Sequence, residues 1–116
     1  MNITIKRAYD ASSSEDGYRV LVDRLWPRGV KKEQFEINEW CKDITPSTEL
    51  RQWFNHDPDR FAEFSTKYQH ELSQSDAPRQ LLERTHGYDM LTLVYAAKDP
   101  MINHAAVLKS YLVNLR

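Results

Sequence analysis

Residues 90–97 read MLTLVYAA, a run without a single charge that stops abruptly at Lys98-Asp99-Pro100. Such a run, bounded by a turn signal, reads as a strand buried on both faces. A second stretch, YRVLVD at 18–23, has the same unbroken apolar centre in Val20-Leu21-Val22 and also ends in charge. Strands covered on both faces belong to parallel sheets, whereas strands with one wet face alternate. The segment NITIKRAY at 2–9 does alternate, with Ile3 and Ile5 between polar neighbours, and predicts a half-buried edge strand.

Helical patterns fill much of the remaining chain. In TPSTELRQWFNHDP, residues 45–58, Thr45 is the expected N-cap with Pro46 at the first helical position, and Leu50, Trp53 and Phe54 form the stripe. Asp57-Pro58 signals a second start, followed by Phe61, Phe64, Tyr68 and Leu72 on one face. A shorter helix is expected from Pro78 to His86, with Gly87 as its stop, and a last one begins near Asn103 and buries Ala105, Leu108, Leu112 and Leu115. Residues 33–44 read both ways, since Ile37, Trp40, Cys41 and Ile44 fit a helix while Phe35 and Ile37 alternate. The stretch DASSSEDG, 10–17, is a polar loop. Apolar strands alternating with amphipathic helices predict an α/β fold, a small single domain over residues 1–116 with a mainly parallel central sheet flanked by helices.

Composition narrows the function classes. The hydrophobic fraction of 41% and charged fraction of 28% are those of an ordinary globular domain. One cysteine, Cys41, cannot form an internal disulfide, which favours a reducing, cytoplasmic setting. No apolar run reaches the roughly 18 residues of a membrane span, and MNITIKR is too polar for a signal peptide. With 16 basic against 17 acidic residues, bulk electrostatics argue against nucleic acid as a partner. Basic residues are nevertheless concentrated between 19 and 32, where five Lys or Arg accompany one Asp.

In open α/β sheets ligands bind outside the carboxyl ends of the strands. Asp23-Arg24 and Lys98-Asp99 occupy two such ends, and they converge if the strands are parallel neighbours. Arg24 and Arg28 flank Trp26-Pro27, and a rigid loop could aim both guanidiniums at phosphate or carboxylate oxygens. The plainer alternative is a lock in which Arg24 pairs with Asp23 or Asp99. Asp23, Asp99 and His104 are the candidates for moving protons or orienting hydroxyls. Asp99 also suits a simple turn with Pro100. Asn103 and His104 open a helix whose free N–H groups could meet an anion, although capping alone explains Asn103. Ser47 and Arg51 share a helical face and could hold an oxyanion together, while Trp26 could cover an apolar part of a ligand. His56 could be a surface cap or a pocket residue. No glycine-rich phosphate loop, no G-x-S-x-G elbow and no metal-ligand spacing among the four histidines and Cys41 is present, and Cys41 reads as core. No cofactor is implied.

The runs LVDRLWPRG, PSTELRQWFNHDP and LVYAAKDPMINHAAVL resemble the DUF488 family, in its short YeaO-like branch, over residues 3 to 113. A longer branch of that family is similar at a V-D-x-R-x-x-P-x-S run and an A-E-x-D-P-x-x-C-H-R run. That likeness places Asp23, Pro27, Lys98 or its neighbours, Asp99 and His104 on motif positions. Asn103 stands where the longer branch has cysteine, and Ala105 where it has arginine; chemistry that needs those two groups is absent from this chain. The resemblance implies an α/β fold and a strand-end site, and no particular reaction.

Two readings follow. In the first, Arg24, Arg28 and Arg51, with Lys98, Ser47 and Asn103 nearby, hold a small anionic, phosphate- or nucleotide-like metabolite at the strand ends. In the second, the 19–32 segment serves a nucleic-acid-linked or regulatory module, with Trp26 stacking on a base. A pocket requires convergent cations and a nucleic-acid track requires a stripe; the scarcity of unmixed basic residues elsewhere favours the pocket.

Overall fold

A computed structural model describes residues Met1–Arg116. Four strands, β1 (Asn2–Arg7), β2 (Tyr18–Leu21), β3 (Glu39–Trp40) and β4 (Met90–Tyr95), form one sheet in the order β1-β4-β2-β3. Every pairing is parallel, and the register sets Ile5 beside Leu93 and Leu93 beside Val20. The two unbroken apolar strands, β2 and β4, are therefore central neighbours, and the alternating β1 lies on an edge, as their patterns predict.

Side chains alternate across a strand, and here the two faces have different cover. Val20, Leu91, Leu93 and Tyr95 join the main core with the helices α1 (Thr48–Phe54), α2 (Phe61–Ser73), α3 (Ala77–Arg84) and α4 (His104–Leu115). Leu21 and Val94 face the other way, into a smaller cluster roofed by Trp26, Phe35, Ile37 and Trp40. The helices thus cover one face rather than both. The opposite face is closed by the two crossovers that return the chain to the start of β2 and β3. Polar clasps hold the first crossover down: Thr92 Oγ1 donates to the Asp16 carbonyl at 2.6 Å, and Asp16 pairs with Lys6 and the buried Arg19. Residues 33–44 turn out to be neither one helix nor one strand. Short 3-10 turns at Lys32–Gln34 and Lys42–Ile44 flank β3, whose two residues are too few for any periodicity to register.

The helix starts correct one expectation. Ser47, not Thr45, caps α1, accepting the Leu50 N–H at 3.1 Å, while Thr45 Oγ1 donates back to Lys42 O and closes the preceding turn. Asp57-Pro58 opens a 3-10 turn, Pro58–Arg60, that leads into α2. Helix α3 ends at Arg84, with Thr85 as cap, ahead of Gly87. Asn103 caps α4 as expected, its Oδ1 accepting the Ala106 N–H at 2.8 Å. No helix is long and apolar enough to cross a membrane.

Candidate functional site

The site begins where β2 and β4 stop pairing. Val22 N–H still donates to Val94 O at 3.0 Å, and one residue later the strands diverge. Asp23 bridges the gap with its side chain: Oδ2 accepts the Ala96 N–H at 2.9 Å. Its Oδ1 lies 3.0 Å from His104 Nε2. The imidazole N–H points instead at Val22 O, 2.9 Å away, so Oδ1 is buried beside the ring without an aligned donor. With two acceptors beside it, Nε2 is the ring nitrogen placed to carry a proton. On the other side of β4, Arg7 Nε donates to Ala97 O at 2.9 Å and pins the splayed strand end to β1.

Residues 24–30 form the wall facing this opening. Trp26 answers why an indole follows a buried strand. Its Nε1 donates to Val30 O at 2.7 Å, its ring packs edge-on against Phe35 and Trp40 at 5.2 and 5.3 Å, and Lys32 lies over it. Trp40 Nε1 donates in turn to Asp23 O at 2.7 Å. The aromatic trio is the pillar of the loop, so Trp26 holds the wall as well as lining the opening. Tyr9 OH, from the end of β1, donates to Arg28 O at 3.0 Å and ties the wall's far end.

Wall, strand ends and the α1–α2 junction enclose a cleft of about 420 Å³. Asp23, Arg24, Trp26, Arg28, Arg51, Asn103 and His104 line it, so seven of the residues singled out from sequence meet in one place. Arg24 donates from Nη2 to Pro46 O at 3.1 Å, while its Nε is buried without a partner. The guanidiniums of Arg28 and Arg51 are bonded to nothing in the protein, and neither they nor Arg24 makes an ion pair. Elsewhere, Arg19, Arg60 and Arg84 each face a carboxylate. The lock in which Arg24 pairs with Asp23 or Asp99 is not what the chain forms.

Three other candidates lie apart from the cleft lining. Asp99 turns back on its own loop, accepting the N–H groups of Met101 and Ile102 at 2.8 and 3.0 Å. Those two N–H groups, Ile102 first, hold its carboxyl below the usual range. The turn reading of Asp99-Pro100 describes it. Ser47 spends its hydroxyl on Glu71 Oε2 at 2.6 Å and its acceptor on the α1 cap. Lys98 is exposed and outside the lining. Asn103 lines the cleft with both ends of its amide engaged, by Ala106 N–H and Asp99 O.

The lining also includes residues that spacing did not single out. Tyr9 and Thr45 belong to segments that read as edge strand and helix cap, and no sequence signal marks either for the site. His56, left open from sequence, faces the cleft with a positive φ of 55°, unusual for a residue with a β-carbon. Cys41 is buried beside Arg84 on the far side of β2, and burial pushes its thiol up, so it offers no nucleophile here. The basic segment does not present a stripe: Arg19 is buried against Asp16, Arg24 turns into the cleft and Lys32 lies on Trp26.

Comparison with known proteins agrees with this architecture in extent. The chain is 47% identical over 115 residues to the uncharacterized protein YeaO of Escherichia coli K12, covering 99% of this chain and all of that one. It is 44% identical over 110 residues to the uncharacterized protein Rv3073c of Mycobacterium tuberculosis H37Rv, covering 95% of this chain and 92% of the relative. No solved structure matches. The family model described as the inactive DUF488-N3 subclade matches residues 2–115, so the chain belongs to the DUF488 family, in that subclade.

Proposed function

We propose that the strand-end cleft binds a small anionic, phosphate-bearing metabolite and does not turn it over. The observation that carries this reading is the state of its arginines: Arg24, Arg28 and Arg51 line one cavity and none has a carboxylate partner. The cavity's one carboxylate, Asp23, is committed to Ala96 N–H and lies against His104. Guanidinium forks suit phosphate and carboxylate oxygens, and a cleft walled on several sides strengthens the attraction.

Several features support binding without chemistry. No cysteine or serine lines the cleft. The hydroxyls of Tyr9 and Thr45 both donate to carbonyls. Asp99, the second carboxylate singled out for proton transfer, is used in its turn. Membership of a subclade described as inactive points the same way, as does Asn103 in the position of the longer branch's cysteine. A cytoplasmic setting belongs to the same reading, supported by the single free cysteine. The test is calorimetric titration of the protein with inorganic phosphate and with pyrophosphate, beside Arg51→Ala. Saturable binding that weakens in the variant supports the reading, and absence of heat from both anions overturns it.

A further inference from the structure

The geometry points to an organic anion as the occupant of this cleft: a phosphate or carboxylate group carried on an apolar, ring-sized body. The inference rests on the anion reading above and adds to it the other half of the ligand. Size is the first argument. A phosphate ion displaces only a few waters of roughly 30 Å³ each. The cleft holds about 420 Å³, within the range of small-molecule sites.

The second argument is where the carbon surface lies. Only five large hydrophobic side chains of the protein are well exposed, and two of them, Leu25 at 64% and Tyr9 at 48%, line this cleft. Leu25 lies between Arg24, which donates to Pro46 O, and Trp26, which donates to Val30 O and packs on Phe35 and Trp40. Tyr9 is fixed through its hydroxyl on Arg28 O, which leaves its ring at the mouth. Exposed carbon on a fixed rim beside unpaired guanidiniums matches a ligand with one charged and one apolar end. A hydrated inorganic ion would leave Leu25 without a role and Tyr9 with only its structural ones, the hydroxyl on Arg28 O and the Arg7 guanidinium over its ring.

Phenyl phosphate carries both ends and inorganic phosphate only one, so their affinities isolate the claim. Half-burying the ring against Leu25 and Tyr9 makes phenyl phosphate about tenfold tighter than inorganic phosphate. Leu25→Ser, a change at an exposed position, removes most of that ratio, and Leu25→Met retains it. Equal affinity for the two probes in the natural chain overturns this inference while leaving the anion reading standing. A ratio that survives Leu25→Ser also overturns it. If neither probe binds, the anion reading fails and this inference fails with it.

Discussion

Asp23 and His104 meet across the opening of the sheet, with Oδ1 and Nε2 3.0 Å apart. The contact joins the first turn of α4 to the end of β2, and the same carboxylate takes the Ala96 N–H that the ladder leaves free. Asp23 is thus a clasp between three elements. Asp23→Ala leaves that N–H without its acceptor, and the expected loss is about 1–3 kcal/mol of folding stability. Urea melts of the two proteins check it; an unchanged midpoint would mean the strand ends hold together without the carboxylate.

The cleft arginines should behave in the opposite way. Arg28 and Arg51 are exposed and unbonded, so truncating either one to alanine is expected to change stability by no more than roughly 0.5 kcal/mol. Ligand protection is the readout that should move. A saturating anion raises stability by about 2.7 kcal/mol at a hundred times its dissociation constant. Denaturant melts with and without phenyl phosphate should show that gain in the natural chain and a smaller one in each variant. A variant that is itself several kcal/mol weaker, with the gain intact, would mark that arginine as structural.

How far the sequence foretells this arrangement depends on the length of each signal. The β2 and β4 strands are legible because burial on both faces removes every charge from their centres. Their ends are legible as a site for the same reason: Asp23, Arg24 and His104 are conspicuous against apolar runs. β3 is not legible, because two residues carry no period and its edge position is fixed by Trp40 packing on Trp26. Asp99 misleads because a strand-end carboxylate and a turn carboxylate look alike in sequence; only the Met101 and Ile102 N–H groups separate them. Tyr9 escapes notice because it closes a segment whose alternation signals only an edge strand, and His56 stays open between cap and pocket because the α1–α2 junction, not a sequence pattern, brings it to the cleft.

Gly17 shows a constraint of close approach. It precedes β2 with a φ of 64°, and a β-carbon there would lie 2.2 Å from the Met90 carbonyl oxygen. That oxygen belongs to the start of β4, so it cannot swing aside as a side chain could. Gly17→Ala is therefore expected to cost more than about 1 kcal/mol, combining the positive φ with the clash. Thermal unfolding of the variant is the measurement, and a midpoint equal to that of the natural chain would show that the crossover can slide away from β4.

Asp16 governs the acid side of the stability profile. Burial by itself would raise its carboxyl, but the Ser13 N–H and the side chains of Lys6 and Arg19 outweigh burial and hold it below the usual carboxylate range. The Arg19 Nη1–Oδ2 distance is 2.6 Å, and Arg19 is itself buried and bonded to the Glu36 carbonyl. A carboxyl depressed by folding contributes stability that is complete above its unfolded value, about 3.9. That contribution drains away as pH falls through the lower folded value. Glu39, lowered first by its hydrogen bonds from Arg84, acts in the same direction. Asp16→Ala strands the buried Arg19 charge, and the expected cost near pH 7 is roughly 3–5 kcal/mol. At pH 3 part of that difference should already be lost in the natural chain, because protonation weakens the same pair. The gap between the two proteins in urea melts is therefore expected to narrow from pH 7 to pH 3. A gap that stays constant would mean that the Asp16 side chain acts through packing, and that its charge contributes nothing to holding the crossover on the sheet.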